Sequence, residues 1–206
     1  MIRPIVFCKA PVAGNVKTRL QPDFTPEQAA DIHAAMAYCV INRTLRLFSH
    51  TWIATDDPSH PFFRQFDASV LSQGKGDLGV RMSRLTERAI AYGARGVLLL
   101  GTDSPHMSEN RLFSGMRLLR RYDVVAGPVQ DGGYDLLAMR GYAPGLFQNI
   151  AWGSSTVLGD TIKHASKLGL SCRCLSTGFD VDTLDDVVRL LRSGFNLDMT
   201  DATYRP

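Results

Sequence analysis

Two observations predict an α/β fold with a mainly parallel sheet covered on both faces. Short β-type runs alternate with amphipathic helical stretches along the chain. One run, Val97-Leu98-Leu99-Leu100, is continuously apolar, as expected of a central strand buried on both faces. The first strand is Ile5-Val6-Phe7, after which Pro11 and Gly14 break the regular backbone. Thr25-Pro26-Glu27-Gln28 supplies an N-cap threonine, a proline at the first helical position and a capping-box glutamine. Ile32, Met36, Cys39, Val40 and Leu47 then recur at helical spacing, predicting a helix to about Phe48.

Thr51–Thr55 reads as a second strand closed by Asp56-Asp57-Pro58, and Ser69–Leu71 as a short third. Leu78, Met82, Leu85, Ala89 and Tyr92 mark a helix that Gly93 ends. After the Val97–Leu100 strand, Ser108 caps a helix through Leu112, Met116 and Leu119. Asp123–Ala126 and Tyr134–Met139 are strands around the loop from Gly127 to Gly133. A helix through Leu158, Ile162, Ala165 and Leu168 follows Thr156 and stops at Gly169. Thr183 caps the last, whose apolar face is Leu184, Val187, Val188 and Leu191. The last dozen residues are polar and unpatterned, and are expected to form a loose tail or an oligomer contact.

At 206 residues the chain is read as one domain spanning 1–206. Apolar residues make up 45%, an ordinary fraction that can build a full core. No apolar run approaches the roughly 20 residues that span a bilayer, and no secretory leader is apparent. A net charge of +3, without a basic tract interleaved with aromatics, gives no footprint for nucleic acid. Cys8, Cys39, Cys172 and Cys174 form no Cys-x-x-Cys pair, and Cys8 and Cys39 fall in core elements, as buried thiols do. A cytoplasmic protein is expected.

The loop after the first strand, Lys9-Ala10-Pro11-Val12-Ala13-Gly14-Asn15-Val16-Lys17-Thr18-Arg19-Leu20, carries the most chemical information. Lys9, Lys17 and Arg19 lie within eleven residues at the carboxyl end of a strand, where a phosphate cradle is expected. A solvated basic loop is the alternative. Lys17-Thr18 would supply the last two residues of a P-loop, but Pro11 and Val16 stand where its glycines belong. Gly74-Lys75-Gly76-Asp77-Leu78-Gly79 matches a dinucleotide-binding fingerprint literally, with Asp103 as its ribose acid. That reading begins well into the chain and leaves the first loop's cations without a role.

Asp103, in Gly101-Thr102-Asp103-Ser104-Pro105, sits directly after the buried strand, at the sheet edge where α/β folds bind ligands. Asp180-Val181-Asp182-Thr183 places two carboxylates on one side of an extended segment. Mg²⁺ or Mn²⁺ held by Asp103 and Asp182 together with substrate phosphates would fit the preference of a hard cation for oxygen. Asp182 could instead serve only the start of the last helix. Asp131-Gly132-Gly133-Tyr134 suits either acceptor or sugar recognition or a tight turn. Trp152, in Trp152-Gly153-Ser154-Ser155-Thr156, is either a stacking wall for substrate or a core anchor.

Taken in order, Lys-x-Pro-x-x-Gly-x-x-Lys-Thr-Arg-Leu at 9–20, Gln-Gly-x-Gly-Asp-Leu-Gly at 73–79, Gly-Thr-Asp-x-Pro at 101–105, Asp-Gly-Gly-Tyr at 131–134 and Asp-Val-Asp-Thr at 180–183 resemble a bacterial GT-A-like family. Its members are described as glycosyltransferases of the nucleotide-diphospho-sugar transferase superfamily. Molybdenum-cofactor nucleotidyltransferases and phospholactate guanylyltransferases belong to the same superfamily. The resemblance implies a GT-A Rossmann-like, three-layer α/β/α sandwich with a mainly parallel mixed sheet. It implies phosphate contacts from Lys17 and Arg19, with Ala10, Pro11 and Gly14 in the nucleotide-binding loop. Asp103 and Asp182 become the metal pair, and Gln73, Gly74 and Gly76 the segment beside the base. Asp131, Gly132, Gly133, Tyr134 and Trp152 fall on the acceptor or sugar side, and Lys17, Arg19, Asp103 and Asp131 are the catalytic candidates. His106 departs from the pattern, leaving the acceptor side open.

The leading expectation is a metal-dependent transferase using a nucleotide sugar and a small-molecule acceptor. The alternative is a nucleotidyltransferase moving a nucleoside monophosphate from a nucleoside triphosphate to a phosphorylated acceptor, releasing pyrophosphate. A dinucleotide-binding Rossmann protein and a non-catalytic nucleotide-binding module rank below both. A homo-oligomer is a possible assembly.

Overall fold

The structure, a computed structural model, describes residues 1–196. The C-terminal stretch expected as a tail lies, from residue 197 onward, outside the described residues. Seven strands form a mixed, mostly parallel sheet: β1 (Ile2–Phe7), β2 (Trp52–Thr55), β3 (Ser69–Ser72), β4 (Gly96–Leu100), β5 (Val124–Pro128), β6 (Tyr134–Arg140) and β7 (Cys172–Cys174). Their order is β3-β2-β1-β4-β6-β5-β7, with β6 antiparallel to both β4 and β5. The helices are α1 (Pro26–Leu47), α2 (Leu78–Ala91), α3 (Glu109–Leu118), α4 (Val157–Lys167) and α5 (Leu184–Arg192). The α/β class and every strand and helix read from the sequence are present; β7 is an addition.

The chain divides into two compact units. One comprises residues 6–72, 102–106 and the stretch from 180 onward. Within it β2 and β3 pair in parallel, Ile53 opposite Val70. α1 begins with the full capping box, Thr25 accepting from Gln28 N and Gln28 returning to Thr25 N. Satisfying two orphan donors at once fixes where this helix starts. Its inner face buries Ile32, Met36, Val40 and Ile41. α5 starts on a second capping box, Thr183 with Asp186. Asp186 Oδ2 accepts from the backbone nitrogens of both Thr183 and Asp182, so the Asp182 carboxylate is not the cap.

The other unit comprises residues 1–5, 73–101 and 107–179. β4 is buried along its whole length, as its unbroken apolar run requires. β5 and β6 form a hairpin around the 129–133 turn, and β7 pairs in parallel with β5, Val125 opposite Arg173. Cys172 and Cys174 carry free thiols in that short strand, one half-buried and one exposed. In the first unit Cys8 is buried as expected, whereas Cys39 on α1 is only half-buried.

A buried ion pair ties the hairpin to α3. Arg111 donates through Nε to Asp135 Oδ2 and through Nη2 to Asp135 Oδ1, both at 3.0 Å, and also reaches the carbonyls of Pro128 and Ser176. The Asp135 side chain is 4% exposed. Gly127 and Gly178 lie against this pair, and a Cβ at Gly127 would collide with Asp135 Oδ1. Removing the cation alone leaves a buried carboxylate without its charge partner. Arg111→Met is therefore expected to destabilise the protein by about 3–5 kcal/mol in urea unfolding, with Arg111→Met/Asp135→Leu recovering most of the loss. A loss below about 1 kcal/mol would place the pair with surface salt bridges instead.

Candidate active site

Lys17, Arg19, Asp103 and Asp182 meet in the unit that holds α1. After β1 the chain runs through an irregular loop in which Ala10 and Val16 are buried, and then turns into a single 3-10 turn, Thr18–Leu20. Lys17 takes the left-handed conformation, φ 46° and ψ 42°. A side chain with a Cβ rarely adopts it, at a cost on the order of 1–3 kcal/mol, and such residues cluster where function demands their placement. This backbone turns the lysine inward. Its Nζ lies 2.6 Å from Asp103 Oδ1, 2.8 Å from Asp182 Oδ1 and 2.7 Å from the Val181 carbonyl. Arg19 reaches the second oxygen of Asp182 at 3.2 Å.

Neighbouring contacts fix each stretch. Val181 N donates to the Asp103 carbonyl at 2.8 Å, and Ser104 Oγ to Asp180 Oδ1 at 2.6 Å, joining the two acidic segments. Arg43 on α1 donates to the Pro105 carbonyl at 2.7 Å. Ala10 N donates to Asp56 Oδ1 at 2.8 Å, and His33 Nε2 lies 3.0 Å from the Lys9 carbonyl. A carbonyl can only accept, so the imidazole carries its proton on Nε2. Burial first of all holds the His33 pKa below its ordinary value. Burial likewise pushes the neighbouring Cys8 thiol up, out of the reactive range.

Exposure is uneven: the Lys17 side chain is 5% exposed, Asp103 45%, Asp182 28% and Arg19 63%. Burial acts against the charged lysine, but Asp103 and Asp182 outweigh it and hold its pKa above the ordinary 10.5. For Asp103, burial pulls upward, while Lys17, with smaller help from His33 and Arg19, holds the carboxyl below 3.8. Two cations face two carboxylates, so the four groups are together neutral.

Ala10, Pro11 and Gly14 lie in this same unit, on the loop that leads to Lys17, and the remaining expected residues lie in the other. Gln73 is buried, its side-chain oxygen accepting from Arg81 Nη1 at 3.0 Å. Arg84 donates to the carbonyls of Gln73 and Lys75 at 2.6 and 2.9 Å. Gly74 has φ 73°, and a Cβ there would meet the Arg84 guanidinium at 2.5 Å. Asp131 is exposed and accepts from Gly133 N at 2.8 Å. Gly132, φ 88°, packs its Cα face on the Ser155 backbone and accepts from Leu158 N, at the start of α4. The Tyr134 hydroxyl is buried, with its pKa raised by that burial, and the Thr161 hydroxyl is its polar neighbour. The Trp152 indole nitrogen is also buried, with the ring against Gly79.

His33, Asp56, Arg43, Arg81 and Arg84 escaped the sequence reading. Asp56 had a local signal, an acid directly after a strand, but reads equally as a turn residue. The others sit in helices, where nothing local reveals their target.

No cluster of three or more His, Cys, Asp or Glu side chains is arranged for a metal among the described residues. The structure offers instead two carboxylates and a carbonyl converging on one point, held by the Lys17 ammonium. An all-oxygen set of this kind suits a hard cation that draws its other ligands from water and phosphate.

The fold is that of nucleotide-diphospho-sugar transferases and cytidylyltransferases. A candidate nucleotide-diphospho-sugar transferase from Desulfovibrio desulfuricans G20 superimposes with a TM-score of 0.87 at 29% identity, covering 95% of this chain and 89% of that one. A cytidylyltransferase from Leptospira borgpetersenii gives 0.59 at 13% identity over 98% and 91%. A CMP-2-keto-3-deoxy-manno-octonic acid synthetase solved with CTP gives 0.57 at 13% identity over 95% and 100%. At such low identity the last two establish the fold alone. No curated protein matches the chain. Residues 41–154, more than half of the chain, match the family described as "Uncharacterized protein conserved in bacteria (DUF2064)", and the chain belongs to that family.

The charge pairing has a pH signature. Because Asp103 is depressed in the folded state, its contribution to stability is complete above 3.8 and is lost as pH falls through its lower folded value. The contribution of Lys17, whose value is raised, is complete below 10.5 and is lost as pH rises through its higher folded value. Urea unfolding stepped downward through 3.8 is expected to show a shallower acid decline in Asp103→Asn than in the parent. Parallel declines would mean that Asp103 titrates alike in folded and unfolded chains.

Proposed function

We propose that this protein is a metal-dependent transferase that acts on a nucleotide-linked sugar and passes the sugar to a small-molecule acceptor. Its transferase class rests on the fold and on the relative from Desulfovibrio desulfuricans, which this chain matches along almost its whole length. The observation that carries the finer reading is the convergence of Asp103 and Asp182 on a single cation position, with Lys17 and Arg19 beside it.

A diphosphate approaching this cluster meets two cations already matched by two carboxylates. The site gains net positive charge for phosphate only if another cation enters, and a divalent ion on the carboxylates supplies it. Asp103 and Asp182 would hold Mg²⁺ or Mn²⁺, which as a Lewis acid stabilises the departing nucleoside diphosphate. Lys17, freed from the carboxylates by that ion, and Arg19 then act on the phosphate oxygens, where their charge offsets the charge that develops. Ala10, Pro11 and Gly14 shape the loop that presents them. Gln73, Gly74 and Gly76 are the proposed base-contacting segment, pre-set by Arg81 and Arg84. Asp131, Gly132 and Gly133 are the proposed acceptor or sugar contacts, Asp131 being the candidate base. Tyr134 and Trp152, with buried polar atoms, would contribute by shape.

The second reading, transfer of a nucleoside monophosphate with release of pyrophosphate, draws support from the basic side chains of the first loop, since a triphosphate carries more charge than a sugar diphosphate. A thermal-shift screen of nucleotide sugars and nucleoside triphosphates, with and without Mn²⁺, followed by product analysis on the hits, separates the two. We expect a nucleotide sugar to stabilise the fold most with Mn²⁺ present, because a ligand bound only to the folded state raises its stability by mass action. Pyrophosphate release from a triphosphate, with no nucleoside diphosphate from any sugar donor, would favour the second.

Asp103→Asn and Asp182→Asn are each expected to abolish Mn²⁺-dependent nucleotide binding in a calorimetric titration while the protein remains folded. Asparagine keeps one acceptor oxygen but not the charge a hard cation needs as it sheds water. Parent-like metal binding by Asp182→Asn would leave that residue only its ion pairs with Lys17 and Arg19.

A further inference from the structure

We propose that Lys17 holds in the free protein the cation position that the divalent metal takes over, so that metal and nucleotide bind as a linked pair. The inference rests on the metal-dependent reading above and extends it to the order of events at the site.

An ammonium group has three donors and no acceptor. All three donors of Lys17 are engaged, with Asp103 Oδ1, Asp182 Oδ1 and the Val181 carbonyl, at 2.6–2.8 Å. In this position Lys17 has no N–H left for a phosphate oxygen. Binding phosphate and remaining between the carboxylates are therefore mutually exclusive states of one side chain. The lysine must leave Asp103 and Asp182 to reach a nucleotide.

Each ligand alone meets an obstacle that the other removes. A metal arriving by itself must displace an ammonium that is 5% exposed and fully hydrogen-bonded, leaving that charge without acceptors. A nucleotide arriving by itself must draw the ammonium away and leave the two carboxylates facing each other without a cation. When both arrive, the metal satisfies the carboxylates and the phosphates satisfy the lysine. Each ligand then favours the other, and the effect is reciprocal as linkage requires. The left-handed backbone at Lys17 fits a residue held in one of two placements by its surroundings.

The test removes the competing cation while keeping the length of the side chain. Mn²⁺ binding to the parent and to Lys17→Met is followed by electron paramagnetic resonance of free Mn²⁺, with no phosphate present. Lys17→Met is expected to bind Mn²⁺ roughly 5–150-fold tighter than the parent, the usual range for coupled ligands. Equal or weaker binding by a folded Lys17→Met overturns the proposal. Should that variant fail to fold, the parent decides. Amine acetylation of Lys17, read by peptide mass spectrometry, is expected to accelerate when Mn²⁺ alone is raised to saturation. Unchanged labelling while resonance shows Mn²⁺ bound also overturns it. If neither protein binds Mn²⁺ even with the panel of nucleotide sugars, the metal-dependent reading itself fails. That outcome is distinct from a parent that binds metal without competition from Lys17.

Discussion

The ammonium of Lys17, enclosed by two carboxylates and a carbonyl, is the contact on which the rest of the site depends. Its partners come from segments far apart in the chain, residues 103 and 181–182. An ammonium removed from water loses its hydration, which is tolerable only when every N–H finds an acceptor and opposite charge lies close. Both conditions are met, and both require the three segments to be held within tenths of an ångström. Val181 N on the Asp103 carbonyl, Arg43 on Pro105 and Asp56 on Ala10 supply that constraint from the backbone. The pairing itself is better understood as a device for placement than as a source of stability, since a buried ion pair is often no more stabilising than an apolar substitute.

The same neutrality distinguishes this site from a glycine-rich phosphate loop. In a P-loop, the cradle is made of backbone N–H groups that carry no opposing charge. Here Pro11 and Val16 stand where those glycines would be, and the positive charge comes from Lys17 and Arg19. Side-chain cations can be matched charge for charge by acids in the free protein, as Lys17 and Arg19 are by Asp103 and Asp182. On the proposed reading, such a site would take up phosphate together with a further cation, and the partner of Lys17 would be what the ligands exchange.

Elements were legible in the sequence where the determinant is local. Thr25-Pro26-Glu27-Gln28 and Thr183 fix helix starts through contacts spanning three residues, and β4 announces its burial by composition alone. β7 was not legible, because three residues with one half-buried and two exposed side chains carry no pattern of alternation. The acids at 103 and 182 could be recognised from their places after a strand and before a helix. That Asp182 leaves capping to Thr183 and Asp186 and turns to Lys17 could not, since both outcomes share one local sequence. The position of Lys17 depends on a left-handed residue and on partners 86 and 165 positions away, for which the loop's own composition gives no sign.

A recurrent use of cations explains why the charge balance says so little about ligands. Lys17 donates to Val181, Arg43 to Pro105, Arg84 to Gln73 and Lys75, and Arg111 to Pro128 and Ser176, in every case to a main-chain carbonyl. Irregular segments cannot satisfy their carbonyls by a ladder, and a guanidinium offers five donors in a rigid fork that can take two at once. The net charge of +3 thus includes arginines, Arg43, Arg84 and Arg111, that hold loops through their carbonyls. Arg84 shows the consequence for the proposed base-contacting segment: Gly74, whose φ of 73° already favours glycine, leaves the space that the guanidinium fills. The three glycines that imitate a dinucleotide fingerprint answer to three different neighbours, Gly74 to Arg84, Gly76 to Val80 and Gly79 to the Phe147 carbonyl and the Trp152 ring, so local packing is sufficient to account for their spacing.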